Sequence, residues 1–231
     1  MGAFIDTAEM YGTEDVVGAA VQGIRESVFI ASKVLPRNLR YPDLMQAAER
    51  SLKLLRTDYM DLYQLRYPNP AIPISESMRA MEDLVDQGKI RFIGVSNFSV
   101  SKLAEAMKVM TKYEIVSNQV QYSLTHRDIE RDLLPFCQEH GITVLAHTTL
   151  DRGALVRKRG FRRGHGAEIL QNVAAETGKT AAQVAINWCL SRANVVAIPR
   201  SSRTADVIEN CGSSGWSLTK NPFIFPLDST R

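Results

Sequence analysis

Asp6, Tyr11 and Lys33 are the residues whose types and spacing first suggest chemistry in this chain. A carboxylate paired with an ammonium fixes a positive charge beside a phenol, and that charge lowers the phenol's pKa from its reference value of about 10. The phenol becomes a usable proton donor. A carbonyl that accepts hydride develops oxyanion character, so a tuned acid and a cation at its oxygen are the parts such a reaction requires. No side chain supplies hydride, and a nicotinamide cofactor is therefore expected. Taken singly, each residue has an ordinary explanation: Asp6 as a strand-end cap, Tyr11 as a half-buried aromatic, Lys33 as an exposed strand terminus. The chemical reading rests on the run Asp6-Thr7-Ala8-Glu9-Met10-Tyr11-Gly12, followed some twenty residues on by Ser32-Lys33.

Such residues need elements that bring them together. Short apolar and β-branched runs recur at Ala3-Phe4-Ile5, Val28 to Ala31, Met60 to Leu65, Arg91 to Val95, Ile115 to Val120, Ile142 to Ala146 and Val195 to Ile198. Between them lie segments of helical periodicity, such as Leu44, Ala47, Ala48, Leu52 and Leu55, or Met78, Met81, Leu84 and Val85. Gly88 and Gly141 stand where helices should end, and Ser99 is placed to cap the helix over Lys102 to Met110. Two further helices, about 167–177 and 180–192, precede the last strand, after an interruption from Arg152 to Gly166. Strict alternation of strand and helix means a parallel sheet. With about seven strand signals and no GxGxxG after any of them, an α/β fold of the (β/α)8 TIM-type barrel is favoured over a doubly wound sheet. Residues 1–231 read as one barrel domain. Because the chain opens directly on a strand, the first strand-helix unit is expected to be missing; either self-association or the tail covers the open barrel edge, or an upstream piece has been lost from this sequence.

Polar residues stand where the strand signals end: Asp6, Lys33, Arg66, Ser96 with Asn97, Gln119, His147 and Arg200. In a barrel these ends share one rim, the place where active sites of this fold lie. The six motifs Phe4 to Gly12, Ala31-Ser32-Lys33, Asp58 to Leu65, Gly88 to Phe98, Asn118 to Tyr122 and Ala197-Ile198-Pro199 together resemble the aldo-keto reductase family. The resemblance covers nearly the whole chain. It implies an eight-stranded barrel that binds extended NADP(H) across its C-terminal rim and reduces small aldehydes or ketones. It implies further that Asp6 and Lys33 tune Tyr11 as proton donor, and that Ser96, Asn97 and Gln119 hold the nicotinamide carboxamide. His147 falls where the family stacks a ring on the nicotinamide, and Thr148, Leu150 and Ile198 line the same cofactor path. Arg200, Ser201 and Ser202 fall where it grips the adenosine 2′-phosphate, while Glu209 and Asn210 fall at the adenine. Asp206 stands where the family often has another Arg; Arg203 is either its substitute or a helix-start surface residue.

The chain departs from that pattern in two places next to the chemistry. Arg66 replaces the His of the catalytic tetrad, and a guanidinium is larger, permanently charged and donor-only. It can hold the developing oxyanion, bind an acidic group on the substrate, compete with Lys33 for Asp6, or block the carbonyl site. His147, in Ala146-His147-Thr148-Thr149-Leu150, replaces a larger aromatic ring; it should stack more weakly and make binding depend on pH between about 5 and 8. Beyond Trp216, the segment Lys220 to Pro226 carries two prolines and is no regular helix; its Phe223, Ile224 and Phe225 either cover the barrel edge or form a tail.

Two functions from different classes follow: an NADPH-dependent carbonyl reductase using Tyr11, or a catalytically impaired NADP(H)-binding sensor or scaffold of the same fold. A phosphate-binding barrel enzyme without nicotinamide is disfavoured, since no glycine-rich phosphate loop is present. A formal charge of +3 in 231 residues is too mild for nucleic acid to be the favoured partner. The basic cluster Arg157-Lys158-Arg159 with Arg162-Arg163 reads as a solvated loop or a weak hint of phosphate binding. Cys137, Cys189 and Cys211 are odd in number and lack metal-ligand spacing, so reduced thiols and no metal are expected. No leader pattern and no apolar run of membrane length is seen, which places the expected protein in the cytoplasm, away from membranes.

Overall fold

The computed structural model describes residues 3–155 and 165–218. The chain forms two compact units, Met1–Gln119 and Val120–Arg231. The first carries β1 (Ala3–Asp6), β2 (Val28–Val34), β3 (Met60–Leu65), β4 (Ile90–Ser96) and most of β5 (Ile115–Gln121), neighbours in chain order and all parallel. Helices α1 (Glu14–Ala20), α2 (Tyr41–Leu55), α3 (Ile74–Asp86) and α4 (Val100–Val109) make the crossovers. Every residue of β3, and all of β2 but Phe29, is buried, the pattern of a parallel sheet covered on both faces.

Each helix forms where a buried stripe and an end signal coincide. In α2, Leu44, Ala47, Ala48, Leu52 and Leu55 recur on one face and are buried, and each Leu contributes roughly 2 kcal/mol by leaving water. Ser99 caps α4 as expected, accepting from the Lys102 N–H. Gly88 takes a φ of 71° after α3, which lets the Lys89 N–H reach the Leu84 carbonyl at 2.9 Å and turns the chain into β4. Where β2, β3 and β4 begin, Asp61 receives Arg25 at 2.8 Å, Arg91 at 3.0 Å and the Ile30 N–H at 2.9 Å. That clamp fixes the strand starts, leaving the opposite ends for polar side chains.

The second unit holds α5 (Leu133–Glu139), β6 (Thr143–His147), α6 (His165–Thr177), α7 (Ala181–Leu190), β7 (Val195–Ala197) and α8 (Thr204–Cys211). β6 and β7 pair in parallel, with Val144 opposite Val195 and Ala146 opposite Ala197. The two late helices expected from the sequence are α6 and α7. α7 opens on a capping box between Thr180 and Gln183, and Asn187 within it donates to the carbonyls of Ser213 and Trp216 at 2.9 Å each. The basic cluster at 157–163 and the segment 220–226 lie outside the described residues.

Candidate active site

The first unit brings Asp6, Tyr11, Lys33, Arg66, Ser96, Asn97 and Gln119 to the ends of its strands. Lys33 is fully buried, and its Nζ spends all three N–H bonds, on Asp6 Oδ1 at 2.8 Å, Asp6 Oδ2 at 2.7 Å and the Thr7 carbonyl at 2.7 Å. A buried ammonium needs such partners, since an unpaired one would be strongly destabilising. Asp6 also accepts from Gln119 Nε2 at 2.7 Å, a bond that joins β1 to β5. Tyr11 ends a single tight turn, Glu9–Tyr11, closed by Gly12 at φ 61°. Glu9 secures that turn by accepting from the Leu35 N–H at 2.9 Å and from Asn38 Nδ2 at 2.8 Å. The phenol is half-exposed, with Lys33 Nζ 5.4 Å from its ring centre.

Arg66 follows β3 directly, and its Nη1 donates to Tyr11 Oη at 3.2 Å. It pairs with the phenol, not with Asp6, which resolves the competition weighed from the sequence. Asn97 sits at φ 60° and donates from Nδ2 to Ser96 Oγ at 2.9 Å and to the Arg66 carbonyl at 3.0 Å. Ser96 Oγ in turn donates to the Gln119 carbonyl at 2.9 Å. Asn97 Oδ1 and Gln119 Oε1 keep acceptor capacity in this network. Two cations, Lys33 and Arg66, thus lie over the Tyr11 ring, and Asp6 is held on the first of them.

Glu14 is a residue of this site that sequence reasoning passed over. It lies three positions beyond Tyr11 and is buried, accepting from Ser32 Oγ at 2.5 Å and Ser51 Oγ at 3.2 Å. It thereby ties the chain just after Tyr11 to the strand residue next to Lys33. Burial raises its pKa, and the two hydroxyl hydrogen bonds only partly offset this. The available signal was its position one helical turn past Tyr11; as an isolated Glu in a helix's first turn it reads as solvated. A second buried polar layer lies at the level of Lys33, where Gln64 and Gly94 stand in register. A Cβ on Gly94 would come within 2.4 Å of Ser117 Oγ and 2.8 Å of Gln64 Cγ, so any larger residue would have to displace these buried side chains.

In the second unit, His147 closes β6, with its Nδ1 2.8 Å from Thr148 Oγ1. Thr148, Asp151 and Arg152 all take positive φ, as does Gly153 after them, so three of the loop's four left-handed positions are held by residues other than glycine. Leu150 is half-buried in it. The Ile198 N–H donates to the Ala146 carbonyl at 3.0 Å, so the exit of β7 lies beside that of β6. Beyond it, Arg200 and Ser202 are exposed, while Ser201 Oγ donates to Asp206 Oδ2 at 2.9 Å. Asp206 also pairs with Arg203 at 3.2 Å, and Arg203 occupies the position just before α8, so the pair lies at the helix start. Glu209 and Asn210 are half-buried in the last turn of α8, where the Glu209 carbonyl accepts from Gln183.

The sequence profile of the aldo/keto reductase family matches residues 2–223. This chain belongs to the aldo-keto reductase family. It is 39% identical over 209 residues to the methylglyoxal reductase YeaE of Escherichia coli, covering 89% of this chain and 72% of that protein. Over 219 residues it is 35% identical to a glyoxal reductase of Bacillus subtilis, covering 94% of this chain and 74% of the relative. Among solved structures, a thermostable aldo-keto reductase bound to the inhibitor epalrestat superposes with a TM-score of 0.87 at 42% identity, over 94% of this chain and 78% of its own. An aldo-keto reductase from Klebsiella pneumoniae in complex with NADPH gives a TM-score of 0.87 at 37% identity, over 94% and 76%. The fold is therefore the α/β barrel of this oxidoreductase family, as expected, and the described residues supply seven of its strands. No helix among the described residues is long and apolar enough to cross a membrane.

Proposed function

We propose that the chain is one barrel domain that reduces aldehydes or ketones with NADPH, Tyr11 giving the proton to the carbonyl oxygen. The observation that carries this reading is the set formed by Asp6, Lys33 and Tyr11, with the ammonium locked by three acceptors and 5.4 Å from the phenol ring centre. The donor set fits a nicotinamide: Asn97 Oδ1 and Gln119 Oε1 offer acceptors and Ser96 a hydroxyl, as a carboxamide requires. Further along the chain, His147, Thr148, Leu150 and Ile198 would hold the nicotinamide and its pyrophosphate, with Arg200, Ser201 and Ser202 on the 2′-phosphate and Glu209 and Asn210 on adenine. Arg200 suits a phosphate because its fork can donate two parallel hydrogen bonds. When bound, the reduced cofactor supplies hydride to the carbonyl carbon.

The remaining steps belong to the chain's own residues. The carbonyl oxygen accepts from Tyr11 Oη, and as negative charge builds on it the proton passes across that hydrogen bond. Lys33 and Arg66 stand where the phenolate left behind needs positive charge, and Asp6 keeps Lys33 in place. Replacing Tyr11 by Phe is expected to lower kcat by about 100-fold or more while leaving NADPH binding, followed by fluorescence, unchanged. NADPH oxidation with aromatic and aliphatic aldehydes is the assay, and undiminished turnover in that variant would sink the assignment.

A second reading, an impaired NADP(H)-binding sensor or scaffold, is favoured by one observation: Arg66 occupies a hydrogen-bonding position on the phenol oxygen that a substrate must share. Arg66→His separates the two. A large rise in turnover of neutral aldehydes in that variant marks the natural chain as impaired.

A further inference from the structure

Among the described residues, Arg66 is a cation without an anion. The other half-buried arginines of the described residues each hold a carboxylate: Arg25 with Asp61, and Arg127 and Arg192 with Glu130. Asp6 is committed to Lys33 and Gln119, and among the described residues no ion pair reaches Arg66. Its Nε is buried and has no hydrogen-bond partner. Yet the residue is firmly placed. Its N–H donates to the Val34 carbonyl at 3.2 Å, its carbonyl accepts from Asn97, and its guanidinium lies 5.0 Å from the Tyr11 ring centre and 5.7 Å from that of Tyr67. A guanidinium positioned this way, half-withdrawn from water and unneutralised, is matched by a ligand that brings a planar anion, because its fork pairs with a carboxylate through two parallel bonds.

We propose that Arg66 makes this site selective for carbonyl compounds bearing a carboxylate on the adjacent carbon, that is, 2-oxo acids reduced to 2-hydroxy acids. The proposal rests on the reductase reading above and names its substrate class. Tyr11 Oη and Arg66 Nη1 are 3.2 Å apart, so one ketone oxygen can accept from both. A carboxylate one bond away then meets the remaining guanidinium N–H groups, whereas an acid placed farther along a substrate carries its charge off the fork. In the step itself, hydride from reduced nicotinamide forms the new C–H bond at C2 and the C=O π bond breaks. The electron pair moves to oxygen, which takes the Tyr11 proton; the carboxylate is unchanged, and solvent returns a proton to Tyr11.

The test compares phenylglyoxylic acid with its methyl ester as substrates for the natural chain, Arg66→His and Arg66→Met, at saturating NADPH. Alongside it, phenylglyoxylate is titrated calorimetrically into the NADP⁺-loaded proteins. The acid should exceed the ester in kcat/KM by about 10-fold or more, and both variants should lose that preference together with phenylglyoxylate binding. Equal turnover of acid and ester, or a preference that survives in both variants, overturns the proposal and leaves the reductase reading intact. Absence of turnover with any carbonyl, in protein that binds NADPH, rejects the reductase reading instead. The titration then decides Arg66 alone: binding lost in the variants keeps the carboxylate site, and no binding by the natural chain overturns it.

Discussion

Two buried glutamates of the first unit respond to pH in opposite directions. Burial raises the pKa of Glu14, so the folded chain holds its proton more tightly than the unfolded chain. Between a carboxylate's usual value and that raised one, stability falls as pH rises. For Glu82, burial pushes upward too, but the N–H groups of Lys112, Thr111 and Tyr113 and the Thr111 hydroxyl outweigh it and hold the carboxyl below a carboxylate's usual value. Its contribution is present above that value and lost as pH falls through the folded pKa. Glu82→Gln should therefore lose about 2–3 kcal/mol near neutrality, a gap that closes in acid. Glu14→Gln should gain on the natural chain as pH rises from 4 to 8; urea denaturation at both pH values reads both variants. At this scale the site was only partly legible in the sequence. Asp6, Tyr11 and Lys33 stand out because one local run and one strand end carry them. Glu14 does not, because its burial comes from α1 packing over β2 and α2, and the Gln119 bond to Asp6 spans 113 positions.

Elements were more legible than their ends. The strand signalled by Val28 to Ala31 reads as ending at an exposed Lys33, yet β2 runs to Val34 with Lys33 buried, because Glu14 and Asp6 give the polar Ser32 and Lys33 buried partners. In the other direction, β6 starts one residue later than the run Ile142 to Ala146 suggests, since the Ile142 N–H closes α5 on the Cys137 carbonyl at 2.8 Å. Periodicity shows the faces of helices, whereas how closely two helices approach is a tertiary matter. Gly18 in α1 is the case in point: a Cβ there would stand 2.4 Å from the Leu54 carbonyl oxygen and 2.6 Å from the Leu55 carbonyl carbon, backbone that cannot swing aside. Gly18→Ala is expected to cost about 1–3 kcal/mol despite its better helix propensity, with thermal unfolding several degrees lower. A variant as stable as the natural chain would mean that α1 and α2 can separate freely.

For the whole molecule, a family that handles reactive carbonyls poses a question of durability: which nucleophiles the protein leaves within reach of them. Cys137 and Cys189 are buried, and burial pushes their thiols up to about 11 and about 12, whereas Cys211 is exposed at the end of α8. Thiolates are the reactive form, so a disulfide reagent should label one thiol per native chain, Cys211, and all three after denaturation. Rapid labelling of two or more in native protein would contradict this burial. The amine nearest the proposed chemistry is protected differently. Lysine condenses with aldehydes to Schiff bases when its nitrogen can present a lone pair. Lys33 points all three N–H bonds at Asp6 and Thr7 and has no surface of its own, so neither a lone pair nor an approach path is open. The salt link that orders the site thus also acts as a protecting group, and in the proposed reaction a carbonyl at Tyr11 would meet a charge it can use but no amine it can capture.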